Sequence, residues 1–327
     1  MIVKVTSVDL PVDEKLMIRK QRILPADYME ETGKSEACAS PNVPGLKRIS
    51  VVTGTHGDEL EGQYVCFELQ RRVREEIGRL KGIVDVYPAL NPLGIDSITR
   101  GIPGFDLDMN RIFPGREDGT MAEYTARGIV NDLTGSDVVL DIHASNIFLK
   151  EMPQVRINVN TKDTLVPLAK YLNTDFIWVH PAATVLEATL AHSLNSVGTP
   201  TLVVEMGVGM RVTKEYTKQL TDGIFCLMKH LGIWDGDVIT PRKPYISRND
   251  NQIHFLNATG SGIFVPSVDH CTKTFVGDEI GRIVNPLDGS VVDTVLSPCN
   301  GIVFTLREYP VVDEGSLIAR LYEIKNS

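Results

Sequence analysis

The stretch "GTHGDELEG", residues 54–62, sets His56 and Glu59 three apart directly after the apolar run "RISVVT". At that spacing a histidine and a carboxylate are either two ligands of one metal ion or polar groups of a turn that opens a helix. Taken alone, the turn is the commoner reading, because acidic residues are frequent in a first helical turn. A mononuclear catalytic zinc takes three protein ligands, commonly two His and one carboxylate, and keeps a fourth position open for water. Of the seven histidines, His143 at the end of "VVLDIH" is the best placed to be the third ligand. Asp141 lies two residues earlier on the same strand face, where it can support His143 from behind. Asp58, between the first two ligands, reads as a supporting residue rather than a third ligand.

Two further segments carry groups that suit a hydrolytic site. In the loop "ITRGIPGFDLDMNRIFPG", Asp106, Asp108, Asn110 and Arg111 alternate with Leu107 and Met109, and Arg100 stands ten residues before Asn110. A guanidinium offers a bidentate fork to a carboxylate and an amide can polarise a carbonyl, although a polar surface loop would have the same composition. Glu205 closes the apolar run "TPTLVVE". A carboxylate there is either a strand-end surface charge or a general base that takes a proton from water. Arg156 in "EMPQVRINVN" suits an acidic or polar group of a substrate, or else a surface ion pair. His180 ends "FIWVH" and is a further candidate for a pocket wall.

Such groups must be positioned by a scaffold, and the chain supplies one. From residue 47 onward, short apolar runs alternate with helical patterns. "KRISVVTG", "GIVDVYPAL", "SDVVLDIHA", "VRINVN", "DFIWVH" and "TPTLVVEMG" read as strands. "ELEGQYVCFELQRRVREEIGRL", with Tyr64, Phe67, Leu69, Val73, Ile77 and Leu80 as its apolar stripe, reads as a helix, as do "MAEYTARGIVNDL", "KDTLVPLAKYL", "LEATLAHSLNSVG" and "TKEYTKQLTDGIFCLMKHLGI". Alternation of this kind predicts an α/β fold with a mostly parallel or mixed central sheet flanked by helices. Functional groups then collect where strands end. Ahead of this core, "MIVKVTSVDL" and "KLMIRKQRIL" predict edge strands and "EETGKSEACASPNVPG" a loop, and another long loop is expected from Asn91 to about Thr120. After "WDGD" the chain turns to short strands separated by Gly and Asp-Gly turns, which predicts a small all-β module. The expected division is therefore residues 1–235 and 236–327. The hairpin segment "NPLDGSVVDTV" offers no lysine for a prosthetic group, which argues against a covalent carrier role.

The bulk properties narrow the function. With 327 residues, 43% hydrophobic and 23% charged, the chain can bury a sizeable core. A net charge of -9 disfavours nucleic acid or an anionic membrane as the main partner. No apolar run reaches a membrane span and no signal peptide is evident at the N-terminus, so the expected location is cytoplasmic. Five scattered cysteines without a C-x-x-C predict reduced structural thiols.

Taken in order, "GTHGDELEG", "NPLGIDSITR", "DLDMNRIFPG", "VVLDIHAS" and "LVVEMGVG" resemble the succinylglutamate desuccinylase/aspartoacylase family. These are zinc-dependent amidohydrolases that share a catalytic fold with the zinc carboxypeptidases. The resemblance covers about residues 47 to 232, and the β module resembles the family's C-terminal domain. It implies one zinc per chain bound by His56, Glu59 and His143, and Glu205 as general base and acid. It further implies that Arg100, Asn110 and Arg111 orient the substrate and stabilise the oxyanion, and that a tyrosine of the C-terminal module, here Tyr309, reaches the site. One position departs: where aspartoacylase has an arginine ten residues before the catalytic glutamate, this chain has Asn195, which speaks against N-acetylaspartate as substrate. The implied activity is hydrolysis of a small N-acyl amino acid or related amide, with a homo-oligomeric state left open. A metallocarboxypeptidase acting on short peptides and a non-catalytic ligand-binding protein are the alternatives.

Overall fold

The computed structural model describes residues 1–31, 41–105, 107–181, 187–247 and 250–324. The core is a mixed sheet. Its first half is built from β1 (Ile2–Asp9), β2 (Lys15–Ile23), β3 (Arg48–Thr53), β4 (Ile83–Tyr87), β5 (Val138–His143), β6 (Leu149–Asn158), β7 (Phe176–His180) and β8 (Thr201–Gly207). Helices α1 (Ala26–Glu31), α2 (Glu61–Glu75), α3 (Pro92–Ser97), α4 (Met121–Leu133), α5 (Lys162–Ala169), α6 (Leu190–Ser196) and α7 (Lys214–Leu231) connect these strands or follow them. The remaining strands are β9 (Tyr245–Ser247), β10 (Ile253–Asn257), β11 (Gly262–Pro266), β12 (Lys273–Thr274), β13 (Glu279–Val284), β14 (Val291–Leu296), β15 (Gly301–Arg307), β16 (Val311–Val312) and β17 (Leu317–Glu323).

The main path through the large sheet runs β1-β2-β4-β3-β5-β8-β6-β15-β17-β10. Strands β4, β3, β5 and β8 are parallel, whereas β6 is antiparallel to both β8 and β15. Every residue of β3 and β5 is buried, as expected of central strands covered on both faces. The sheet passes the boundary expected at residue 235, because β9 pairs with β7 and β15 with β6. A second sheet, β14-β13-β11-β16, packs over its own apolar cluster around Phe264, Ile280 and Ile318. Among the described residues, no helix is long and apolar enough to cross a membrane.

Several local details differ from expectation. β1 is an edge strand, but β2 lies inside the sheet between β1 and β4. The first two residues of the stretch expected as loop, Glu30 and Glu31, end the short helix α1, and residues 32–40 lie outside the described residues. Helix α2 ends at Glu75 and buries Val65, Cys66, Leu69 and Val73, while Phe67 faces solvent and stacks on Tyr64. Of the predicted stripe, Leu69, Val73 and Leu80 are buried and Ile77 packs against the core, whereas at the start of the helix Val65 and Cys66 take the inward positions expected of Tyr64 and Phe67. The Asn91 loop contains α3, opened by Pro92 at its first position and by the Asn91 side chain accepting from Gly94 N.

At the entry end of the parallel strands lies a buried charge cluster. Asp85 on β4 accepts from Arg22 Nε at 2.8 Å and Nη2 at 2.6 Å, and from Lys20 Nζ at 3.1 Å. Arg48 Nη1 adds a contact at 3.4 Å and donates to the Asp132 carbonyl, while Nη2 donates to the carbonyls of Leu133 and Thr134 at the end of α4. Lys20 also reaches Asp132 at 2.7 Å.

Candidate active site

The opposite, C-terminal ends of β3, β5 and β8 open into a cavity of about 550 Å³. The turn after β3 carries His56 and Glu59, with α2 beginning at Glu61, so Glu59 lies just ahead of the first helical turn. Its close packing explains part of the motif. A Cβ on Gly57 would stand 2.0 Å from the Gly94 carbonyl carbon, so only glycine lets the turn lie against "NPLG". Gly57 N donates to Thr99 O at 3.0 Å, which locks the two segments together.

His56, Glu59 and His143 converge: their candidate ligand atoms lie within 4.8 Å of one another, and all three residues are buried. Glu59 Oε1 lies 2.7 Å from His56 Nδ1, and Oε2 lies 2.9 Å from His143 Nδ1. The outer nitrogens are held as well. His56 Nε2 lies 3.0 Å from Asp108 Oδ1, and His143 Nε2 lies 3.2 Å from Asp141 Oδ1. Each imidazole thus turns Nδ1 to a shared point and faces a carboxylate with Nε2, by a hydrogen bond in His56 and at ion-pair distance in His143, the arrangement that orients histidine ligands of metals. The donor set of two imidazoles and one carboxylate suits zinc.

The electrostatics agree with a cation-seeking site. Burial would lower His56, but Glu59 and Asp108 raise it overall. Burial likewise opposes protonation of His143, yet Asp141 and Glu59 hold it well above the ordinary histidine value. Glu59, which burial alone would push up, is held far below the usual carboxylate range by His143 and His56. Metal binding at such a cluster displaces the imidazole protons.

Around this cluster the structure collects most of the residues singled out from sequence. Arg100, Asn110, Arg111, Arg156 and Glu205 all line the cavity. Arg100 Nη1 donates to Glu59 Oε1 at 3.0 Å, with Asp108 Oδ2 at 3.4 Å from Nη2. Asn110 Oδ1 accepts from Leu190 N at 2.9 Å, which ties the loop to the start of α6. Arg111 Nη1 is bonded to the Asn110 carbonyl and is partly exposed. Glu205 pairs with His143 in the β5–β8 register, which puts the two side by side at the strand ends. Burial pushes the Glu205 carboxyl up; Arg156 and His143 pull it back, and Glu59 and Glu151 oppose them.

Of the remaining candidates, Arg156 is drawn into the site and Tyr309 and His180 are not. Arg156 is no surface pair: Nη1 meets Glu205 Oε1 at 3.1 Å and Nη2 meets Glu151 Oε1 at 3.0 Å. Tyr309 does not line the cavity; it packs edge-on against Phe148 and is 45% exposed, because the turn after β15 carries it outward. His180 also lies outside the cavity lining and packs against Trp178. Asn195 lines the cavity, but its side chain bonds both Thr201 N and Thr201 O, fixing the turn into β8. Asp106 lies outside the described residues.

Sequence reasoning assigned no role to Asp108, Glu151 or Arg320. Arg320, on β17, is the residue that the C-terminal strands bring to the cavity. Asp108 was visible only as one acid of a polar loop. We expect Asp108→Asn to keep the fold and weaken metal affinity about 10–100-fold, the usual cost of losing a partner behind a ligand. Competitive chelator titration measures this, and unchanged affinity would show that His56 needs no such anchor.

Comparison with known proteins agrees with the geometry. Residues 45–231, more than half of the chain, match the succinylglutamate desuccinylase/aspartoacylase catalytic domain. The chain is 26% identical over 283 residues to the N-alpha-acetyl-L-2,4-diaminobutyric acid deacetylase of Halomonas elongata, covering 84% of this chain and 81% of that one. It is 29% identical over 185 residues to the N-acyl-aromatic-L-amino acid amidohydrolase (carboxylate-forming) B of Danio rerio, covering 52% of this chain and 57% of that one. Among solved structures, the product-bound ectoine utilization protein EutE (DoeB) from Ruegeria pomeroyi superposes with a TM-score of 0.80 at 19% identity, covering 98% and 94% of the two chains. A succinylglutamate desuccinylase/aspartoacylase from Rhodobacter sphaeroides gives 0.77 at 21% identity, covering 98% and 94%. With the matched region spanning His56, Glu59 and His143, the chain belongs to the succinylglutamate desuccinylase/aspartoacylase family.

Proposed function

We propose that the chain is a zinc-dependent hydrolase that removes the acyl group from a small N-acyl amino acid. The observation that carries this reading is the convergence of two carboxylate-anchored imidazoles on Glu59, next to Glu205. His56, Glu59 and His143 would hold the metal, which when bound polarises the acyl carbonyl and makes water acidic enough to react near neutral pH. Glu205 takes the proton from the attacking water and returns it to the departing amine. Its raised pKa suits both halves of that cycle. Arg100, paired with Glu59 and Asp108, and Arg111, 3.9 Å from Asp108 and 43% exposed, stand at the cavity, where their guanidiniums can meet a substrate carboxylate or the developing oxyanion. Relatives named for deacetylation of N-acetyldiaminobutyrate and for hydrolysis of N-acyl aromatic amino acids support small N-acyl amino acids over peptides.

The test is a hydrolysis panel of acetyl, succinyl and longer-chain acyl amino acids beside short peptides, with and without a chelator. Deacylation that the chelator abolishes and added zinc restores is the expected result. Cleavage of the peptides alone would favour the carboxypeptidase alternative, and chelator-resistant deacylation would remove zinc from the scheme.

A further inference from the structure

A chain of alternating charges connects the C-terminal strands to Glu205. Arg320 Nη1 on β17 donates to Glu151 Oε1 at 3.0 Å. Arg156 Nη2 donates to that same oxygen at 3.0 Å, and Arg156 Nη1 meets Glu205 Oε1 at 3.1 Å. Glu151 is 1% exposed, and its other oxygen accepts from Gln154 Nε2 at 2.8 Å and from the Thr305 hydroxyl of β15. Both guanidiniums lie over the Trp178 ring, at 5.5 and 5.6 Å from its centroid. The register fixes the order, since Thr305 faces Glu151 across β15–β6 and Arg320 across β15–β17.

We infer that Arg156 and Arg320 are positioning residues, which hold the Glu205 carboxylate in place through Glu151 rather than gripping the substrate. This rests on Glu205 being the general base. Charge supports it: two guanidiniums face two buried or nearly buried carboxylates, Glu151 and Glu205, so the group leaves no positive charge over for a substrate anion. Bidentate sharing of one arginine between two carboxylates also fixes orientation as well as charge. The arrangement gives the appended β strands a catalytic consequence, because Arg320 belongs to them.

The rival is direct binding, since Arg156 Nε and Arg320 Nε lack hydrogen-bond partners. The two roles separate kinetically. Loss of positioning lowers kcat and leaves KM, whereas loss of a substrate contact raises KM. In metal-loaded protein, Arg156→Met should lower kcat by up to about 100-fold, the scale of a misplaced catalytic group. Arg156→Lys should recover part of that loss. Arg320→Met, one step further out, should lower kcat less, and it carries the test should Arg156→Met fail to fold. In a Glu205→Gln background, Arg156→Met should cost nothing more, because the group it holds is gone. A rise in KM with kcat kept, or a full further loss in the Glu205→Gln background, overturns the inference while leaving the deacylase reading intact. A parent protein inactive on the whole panel ends that reading first, and this inference with it.

Discussion

Glu205→Gln is expected to keep its metal and its fold and to lose about 10²–10⁴-fold in kcat, the range for removing a positioned general base. The substitution is nearly isosteric, and Arg156 Nη1, 3.1 Å from Glu205 Oε1, can still donate to an amide oxygen. What disappears is the ability to accept a proton from water and pass it to the leaving amine. Glu205 is none of the three clustered ligand candidates, so metal content should match the parent protein. Metal analysis, a thermal melt and steady-state kinetics on the best substrate of the panel together check this. A Glu205→Gln protein with metal bound and kcat within about tenfold of the parent would move the base elsewhere.

The two halves of this site differ in how far the sequence disclosed them. His56, Glu59, His143 and Glu205 each sit at the end of a buried strand or on the turn that follows it, where an apolar run breaks into a polar residue. That break is written in one dimension. Asp141 was readable for the same reason, since a period of two places it on the face of His143. Asp108 was not, because a loop has no period and its approach to His56 depends on how "LDMNR" lies beside the cavity. Arg320 was further out of reach. Its partner Glu151 lies on β6, and they meet only because β15 inserts between β6 and β17 in a given register. A register cannot be read from "GSLIARLYE", where Arg320 has the appearance of any outward charge. From the C-terminal module, where a tyrosine was expected at the cavity, Arg320 is in the lining and Tyr309 packs on Phe148 instead. For Arg156, the residue type pointed to the site, and only the pairing of β6 with β8 shows that Glu205 is its neighbour.

At the other end of the same strands, Asp85→Asn is expected to destabilise the protein by about 3–5 kcal/mol, the cost of breaking a buried ion pair by removing one partner. Asp85 is fully buried, and Lys20, Arg22 and Arg48 all meet it. Their side chains are no more than 2% exposed, so none can recover its charge balance from water. Burial alone would raise the Asp85 carboxyl; hydrogen bonds from Arg22 and the charges of Lys20, Arg22 and Arg48 hold it below its usual value. A depressed carboxyl stabilises the fold above its unfolded-state pKa and ceases to do so as pH falls through the folded-state value. The difference between parent and variant should therefore be full at neutral pH and shrink in acid. Asp132→Asn should cost less, because Asp132 is 17% exposed and its strongest cationic partner, Lys20, keeps Asp85. Denaturant unfolding at pH 7 and again in acid measures both variants. A loss near zero for Asp85→Asn would mean that the carbonyls at the end of α4 and Asp132 suffice to hold the three cations. Since β3 begins at Arg48 and reaches the His56–Glu59–His143 cluster only past Thr53, the folded Asp85→Asn protein should retain the kcat of the parent.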